Sequence, residues 1–142
     1  MDRKGWTLLA VSFAGETGLS PVQLQKCIFL LGKEQKEKVG SDFYEFSAYN
    51  YGPFSKLLYQ DAEALNSEGL VLIERPAGSY ATYRITPKGA ARARQMESEA
   101  PSPTVAYLKV VVEWAQQLSF SDLLRAIYSR YPEYRSNSVF QF

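Results

Sequence analysis

Between Pro53 and Gln95 six basic residues (Lys56, Arg75, Arg84, Lys88, Arg92, Arg94) stand against four acidic ones (Asp61, Glu63, Glu68, Glu74). That local excess suits contact with phosphate, which supplies most of the non-specific affinity of proteins for nucleic acid. Lys56, Tyr59, Gln60, Glu63 and Ser67 share the polar face of one amphipathic stretch. On such a face Lys56 can reach a phosphate and Gln60 a base edge, whereas Glu63 repels the backbone unless it accepts from a cytosine amino group. A second cluster is aromatic: Phe43, Tyr44, Phe46, Tyr49, Tyr51, Phe54 and Tyr59 crowd positions 42–59, with no Lys or Arg between Lys38 and Lys56. Base-stacking platforms interleave aromatics with cations, so this cluster suits core packing first and a protein interface second, through Tyr49, Tyr51 and Phe54. Asn50, ahead of Tyr51 and Gly52, suits a turn.

The chain has no histidine and one cysteine, Cys27. This removes the commonest metal ligand, every Ser/His/Asp or Cys/His arrangement and any intrachain disulfide. Cys27, on the apolar side of its helix, is expected to be a small core residue. The carboxylate pairs Asp61 with Glu68 and Glu97 with Glu99 lack metal-ligand companions and are expected on solvated faces. No catalytic constellation, metal site or cofactor is expected, and the chain is not expected to be an enzyme.

These candidates must be positioned by a real core. The 142 residues are 46% hydrophobic, one domain's worth, and sixteen Lys and Arg against fifteen Asp and Glu leave a formal charge of +1. No whole-molecule field favours nucleic acid or membrane, so a basic footprint must be local. The apolar run near the N-terminus is broken by Gly15 and Gly18 well short of a membrane span, and a cytoplasmic location is expected.

Along the chain, Trp6, Leu9, Ala10 and Phe13 fall at helical spacing over Gly5 to Ala14. Ser20, Pro21 and Gln23 form a capping-box start for a second helix that buries Leu24, Cys27, Ile28 and Leu31. Lys33 to Lys38 alternates charges and is expected to be a frayed end and solvated loop. FYEFSAYNY suits an extended or loop segment. After Gly52 a third helix is expected from Pro53 or Ser55, with Phe54, Leu58, Ala62 and Leu65 as its apolar stripe and Leu57 widening it. Leu70 to Glu74 and Tyr80 to Thr86 predict a hairpin. Thr86 and Pro87 restart helix, APSP from Ala100 marks a break, and two helices follow over Val105 to Leu118 and Phe120 to Tyr131.

Three helices followed by a two-stranded hairpin is the order of a winged helix-turn-helix. The stretch from Leu57 to Gly89 resembles winged-helix regulators of the PadR and MarR kind in Glu68, Gly69, Leu70 and Val71, then Tyr83, Arg84, Ile85, Thr86 and Gly89. Nearly the whole chain resembles the YwgA-like winged-helix proteins of bacteria and archaea. That resemblance is carried by Leu24, Gln25 and Lys26; by Tyr51, Gly52, Pro53, Phe54 and Ser55; and by Ile127, Tyr128, Tyr131, Pro132, Glu133 and Tyr134. A related Tyr-Gly-Pro segment recurs in an antitoxin-like group of helical proteins. The resemblance implies an α+β, mostly helical fold: a winged-helix domain over 1–99 and a C-terminal helical extension over 100–142, packed on the same domain or forming a dimer interface.

The expectation is therefore a homodimeric transcriptional regulator that binds duplex DNA through Lys56, Tyr59, Gln60, Arg75, Arg84 and Lys88 and acts by occupancy. The alternative is an antitoxin-like or accessory protein-interaction module that binds a partner through Tyr49, Tyr51, Phe54, Phe140 and Phe142. In either case no membrane is involved.

Overall fold

The computed structural model describes residues 1–140. Helix α1 (Arg3–Phe13) starts at Asp2, whose carboxylate accepts from Gly5 N at 2.8 Å. Every residue from Gly5 to Val11 is buried, because α1 is packed by α2, α4, α5 and α6. Helix α2 (Pro21–Glu34) begins with the expected reciprocal cap: Ser20 Oγ accepts from Gln23 N at 3.2 Å, and Gln23 Oε1 accepts from Ser20 N at 2.9 Å. The loop expected over Lys33 to Lys38 is instead the end of α2 and a one-turn helix α3 (Lys36–Val39). Glu34 is only partly exposed there, and Arg130 and Tyr131 both donate to its carboxylate.

The aromatic segment is a second hairpin, β1 (Ser47–Tyr49) with β2 (Gly52–Phe54), paired antiparallel with Ala48 opposite Pro53. Pro53 thus lies in a strand, and Ser55 caps helix α4 (Lys56–Ser67) by accepting from Leu58 N. The buried stripe of α4 is Leu58, Ala62 and Leu65; Leu57 points off it and is 37% exposed. Strands β3 (Val71–Glu74) and β4 (Thr82–Ile85) pair antiparallel, with Ile73 opposite Tyr83. Leu19 adds to the outer edge of β4: Leu19 N donates to Tyr83 O at 2.9 Å and Tyr83 N to Leu19 O at 2.8 Å. Gly18 leads in at φ +72°, and a Cβ there would stand 2.6 Å from Tyr83 O, so no other residue fits this approach.

Helix α5 (Pro87–Glu99) is capped by Thr86 Oγ1, which accepts from Gly89 N at 2.9 Å. Helices α6 (Ser102–Gln117) and α7 (Phe120–Arg130) follow, the latter capped by Ser119, and a 3-10 turn covers Pro132–Arg135. Helix α6 lies against α2 and α1, and α7 against α2, so Leu108, Val112, Ala115, Leu123, Leu124 and Ile127 join the same core as Trp6, Leu24 and Leu58. Each fully buried Leu or Val of this set contributes about 1.5–3 kcal/mol over leaving it in water. The architecture is α+β and mostly helical. No helix among the described residues is long and apolar enough to cross a membrane.

Candidate functional site

Two regions gather the candidate residues. The first is the outward face of α4 with the β3–β4 hairpin. Lys56 and Gln60 are exposed and hold no partner among the described residues. Tyr59 does not belong with them. Its ring is half-buried, parallel to Tyr83 at 6.4 Å and edge-on to Phe54 at 5.4 Å, and burial pushes its phenol well above the usual tyrosine range. Tyr59 sits on the flank of the polar stripe that faces β4, so the ring is drawn into packing.

The cations of this face are engaged. Arg75 pairs with Glu63, tying the hairpin to α4, and Arg84 Nε pairs with Glu74 Oε1 at 2.8 Å across the two strands. Lys88 Nζ donates to Glu68 O at 3.1 Å, while the Glu68 carboxylate accepts from Lys4 at 3.0 Å. All these side chains are exposed, and surface pairs are worth about 0–1 kcal/mol, so each can be exchanged for a phosphate. Asp61, expected on a solvated face, is instead half-buried. It accepts from Arg3 Nε at 3.1 Å and from the Tyr44 hydroxyl at 2.6 Å, and Thr7 completes the chain at 2.8 Å from Tyr44. Burial, then the bond to Asp61, pushes the Tyr44 phenol far up. The network fastens α4 to α1, and nothing local in the sequence signals it.

The second region is the corner beneath the β1–β2 hairpin, where the segments 24–26, 51–55 and 127–134 meet. The Gln25 side chain is 1% exposed and bonds like a strand neighbour to Ser55: Nε2 donates to Ser55 O and Oε1 accepts from Ser55 N, both at 2.8 Å. Next to it Lys26, 3% exposed, donates to Pro53 O at 3.1 Å, and burial draws its amine down to about 7. Gly52, at φ +92°, brings its backbone against Lys26 and Tyr128; a Cβ there would stand 3.2 Å from the Tyr128 ring. From the other side the tail clips on: Asn137 Nδ2 donates to Ala48 O at 3.2 Å and Val139 N to Asn50 O at 3.0 Å. Sequence patterning missed Gln25 and Lys26 because polar residues on an amphipathic helix read as surface.

Of the partner candidates, Tyr49 and Tyr51 are 51% and 45% exposed. Tyr51 meets Phe120 edge-on at 5.4 Å, and Phe120 meets Phe140 at 5.5 Å. Phe54 is half-buried under Tyr49, and Phe140 is half-buried as well. Phe142 lies outside the described residues. Phe29 is ringed by Phe46, Tyr131 and Tyr134 at 4.8–5.4 Å, at the floor of an open groove of about 830 Å³ with Lys33 and Lys36 on its sides. Cys27 is fully buried, its thiol pushed up to about 12 by loss of solvent, in keeping with a core role. The geometry thus offers an exchangeable polar face on α4 and an uncharged aromatic patch at the hairpin tip. No family model matches the chain, and no curated protein matches it.

Proposed function

We propose that the chain is a winged-helix module that docks on duplex DNA through α4 and the β3–β4 hairpin and regulates by occupying its site. The observation that carries this reading is the pairing of Leu19 with Tyr83. It sets the turn after α1 beside β4, so that α1, Leu19, α2, α4, β3 and β4 follow the order and edge pairing of a winged helix, with the Lys56–Gln60 side of α4 outermost. The β1–β2 hairpin stands where a simple helix-turn-helix has its short turn. Lys56, Arg84 and Lys88 contact phosphates, the last two by exchanging their carboxylate or carbonyl partners, while Arg75 stays on Glu63 and Gln60 faces the bases. So few cations bind loosely in one copy, and a homodimer doubles them. Such a regulator works in the cytoplasm, with the DNA.

The test is a fluorescence-anisotropy titration with mixed genomic duplex fragments at about 50 and about 200 mM salt, the range over which phosphate-dominated binding collapses. Binding at low salt, a steep fall with salt and weakening in Lys56→Ala and Arg84→Ala are expected. A folded protein that ignores duplex at low salt overturns the reading. A protein-interaction module is then the better account, favoured by the uncharged patch of Tyr49, Tyr51 and Phe120 and by the carboxylates already neutralising the hairpin arginines.

A further inference from the structure

Resting on the duplex-DNA reading, the side chains of α4 carry a base preference. The four bases ask for different chemistry in the major groove: guanine takes an Arg or Lys fork at N7 and O6, and the cytosine amino group takes a carboxylate. Adenine takes the amide of Gln or Asn at N6 and N7, and thymine offers its methyl to an apolar side chain. Helix α4 has no arginine. Its carboxylates are both occupied: Asp61 is turned inward to Arg3 and Tyr44, and Glu63 is held by Arg75. That last pair removes the cytosine acceptor and the nearest guanine reader together. What is left open is Lys56, at the start of the helix and set on a phosphate in the duplex reading, the Gln60 amide and, on the same flank as Gln60 at helical spacing, the side chains of Leu57 and Ala64. Leu57 is 37% exposed and lies outside the buried stripe of Leu58, Ala62 and Leu65.

We propose that Gln60 and Leu57 make α4 a reader of A·T pairs, the amide bonding to adenine N6 and N7 and the leucine lying on a thymine methyl. Lys56, in the first turn, holds a phosphate and sets the helix in the groove.

The experiment uses the full chain and three mixed-sequence duplexes of about 20 base pairs, two helical turns. One is all A·T without long adenine runs, one is all G·C, and one has the A·T sequence with uracil for thymine, which deletes only the C5 methyl. The A·T duplex is expected to bind about tenfold tighter than the G·C duplex, the scale of one good bidentate contact. Gln60→Ala should bring the two together while leaving the salt slope unchanged, because no phosphate contact is lost. Uracil should weaken the wild type several-fold and leave Leu57→Ala indifferent. Equal affinities, a G·C preference, or an A·T preference that survives Gln60→Ala would each overturn the base reading while leaving DNA binding in place. No binding to any of the three at low salt overturns both.

Discussion

On the face formed by α4 and the β3–β4 hairpin, Glu63, Arg75, Glu74 and Arg84 pair with one another in the open. In the hairpin corner, Gln25, Lys26 and Ser55 are 1%, 3% and 4% exposed, and their partners are backbone groups. Both regions are polar, and they differ in what it costs to let go. An exposed pair gives up about 0–1 kcal/mol when broken. A buried donor or acceptor left alone costs about 1–3 kcal/mol. A ligand can therefore compete for the side chains of α4, whereas those of the corner are committed to holding β2 against α2. The residues that stand out in the sequence, the LQK and YGPFS blocks, are to a large extent scaffold. The residues free to bind are ordinary ones.

The largest effect that would sharpen this contrast is Gln25→Leu. It strands Ser55 N and Ser55 O together, and a loss of about 2–5 kcal/mol in urea unfolding is expected. A loss no greater than that of Glu63→Ala would erase the distinction. Next comes Lys26, whose amine titrates near 7 when folded and near 10.5 when unfolded. Between those values the unfolded chain binds more protons, so stability should rise with pH, by up to about 2 kcal/mol from about pH 7.5 to about 9.5. Denaturation midpoints for wild type and Lys26→Met would show it: the rise should vanish in the variant, which should instead lose up to about 1 kcal/mol toward about pH 9.5, because the Cys27 thiol, near 9 when unfolded, is pushed up to about 12 when folded. Tyr44 and Tyr107, raised above 10 mainly by burial, act in the opposite sense only at higher pH. The smallest effect is Glu63→Gln, which releases Arg75. Stability should change by less than about 1 kcal/mol, while affinity for duplex DNA should rise several-fold at low salt.

What was legible in the sequence was local. Ser20 with Gln23, Thr86 with Pro87, and Ser119 each cap a helix through a partner within three residues, and those starts follow from side-chain chemistry alone. The β3–β4 hairpin was legible because its strands are β-rich and its loop holds Gly78. The β1–β2 hairpin was not, since each strand is three residues long and aromatics suit loop, strand and core alike. Leu19 forms a bridge of one residue, which has no period to detect. The polar face of α4 was found, but Tyr59 had to leave it because Phe54 and Tyr83 claim its ring. The Glu63–Arg75 and Asp61–Arg3 pairs depend on how α4 meets its neighbours, and no spacing rule carries that.

Helix α2 is buried without interruption from Leu24 to Leu31, an all-round burial that α6 and α7 help to complete. During synthesis its last turn, at Glu34, leaves the ribosome long before Phe120 opens α7. At about 10 residues per second the delay is roughly ten seconds. For that interval α2 is an apolar rod without its cover, and the last-made helices serve the nascent chain as a late-arriving lid on one of the first-made.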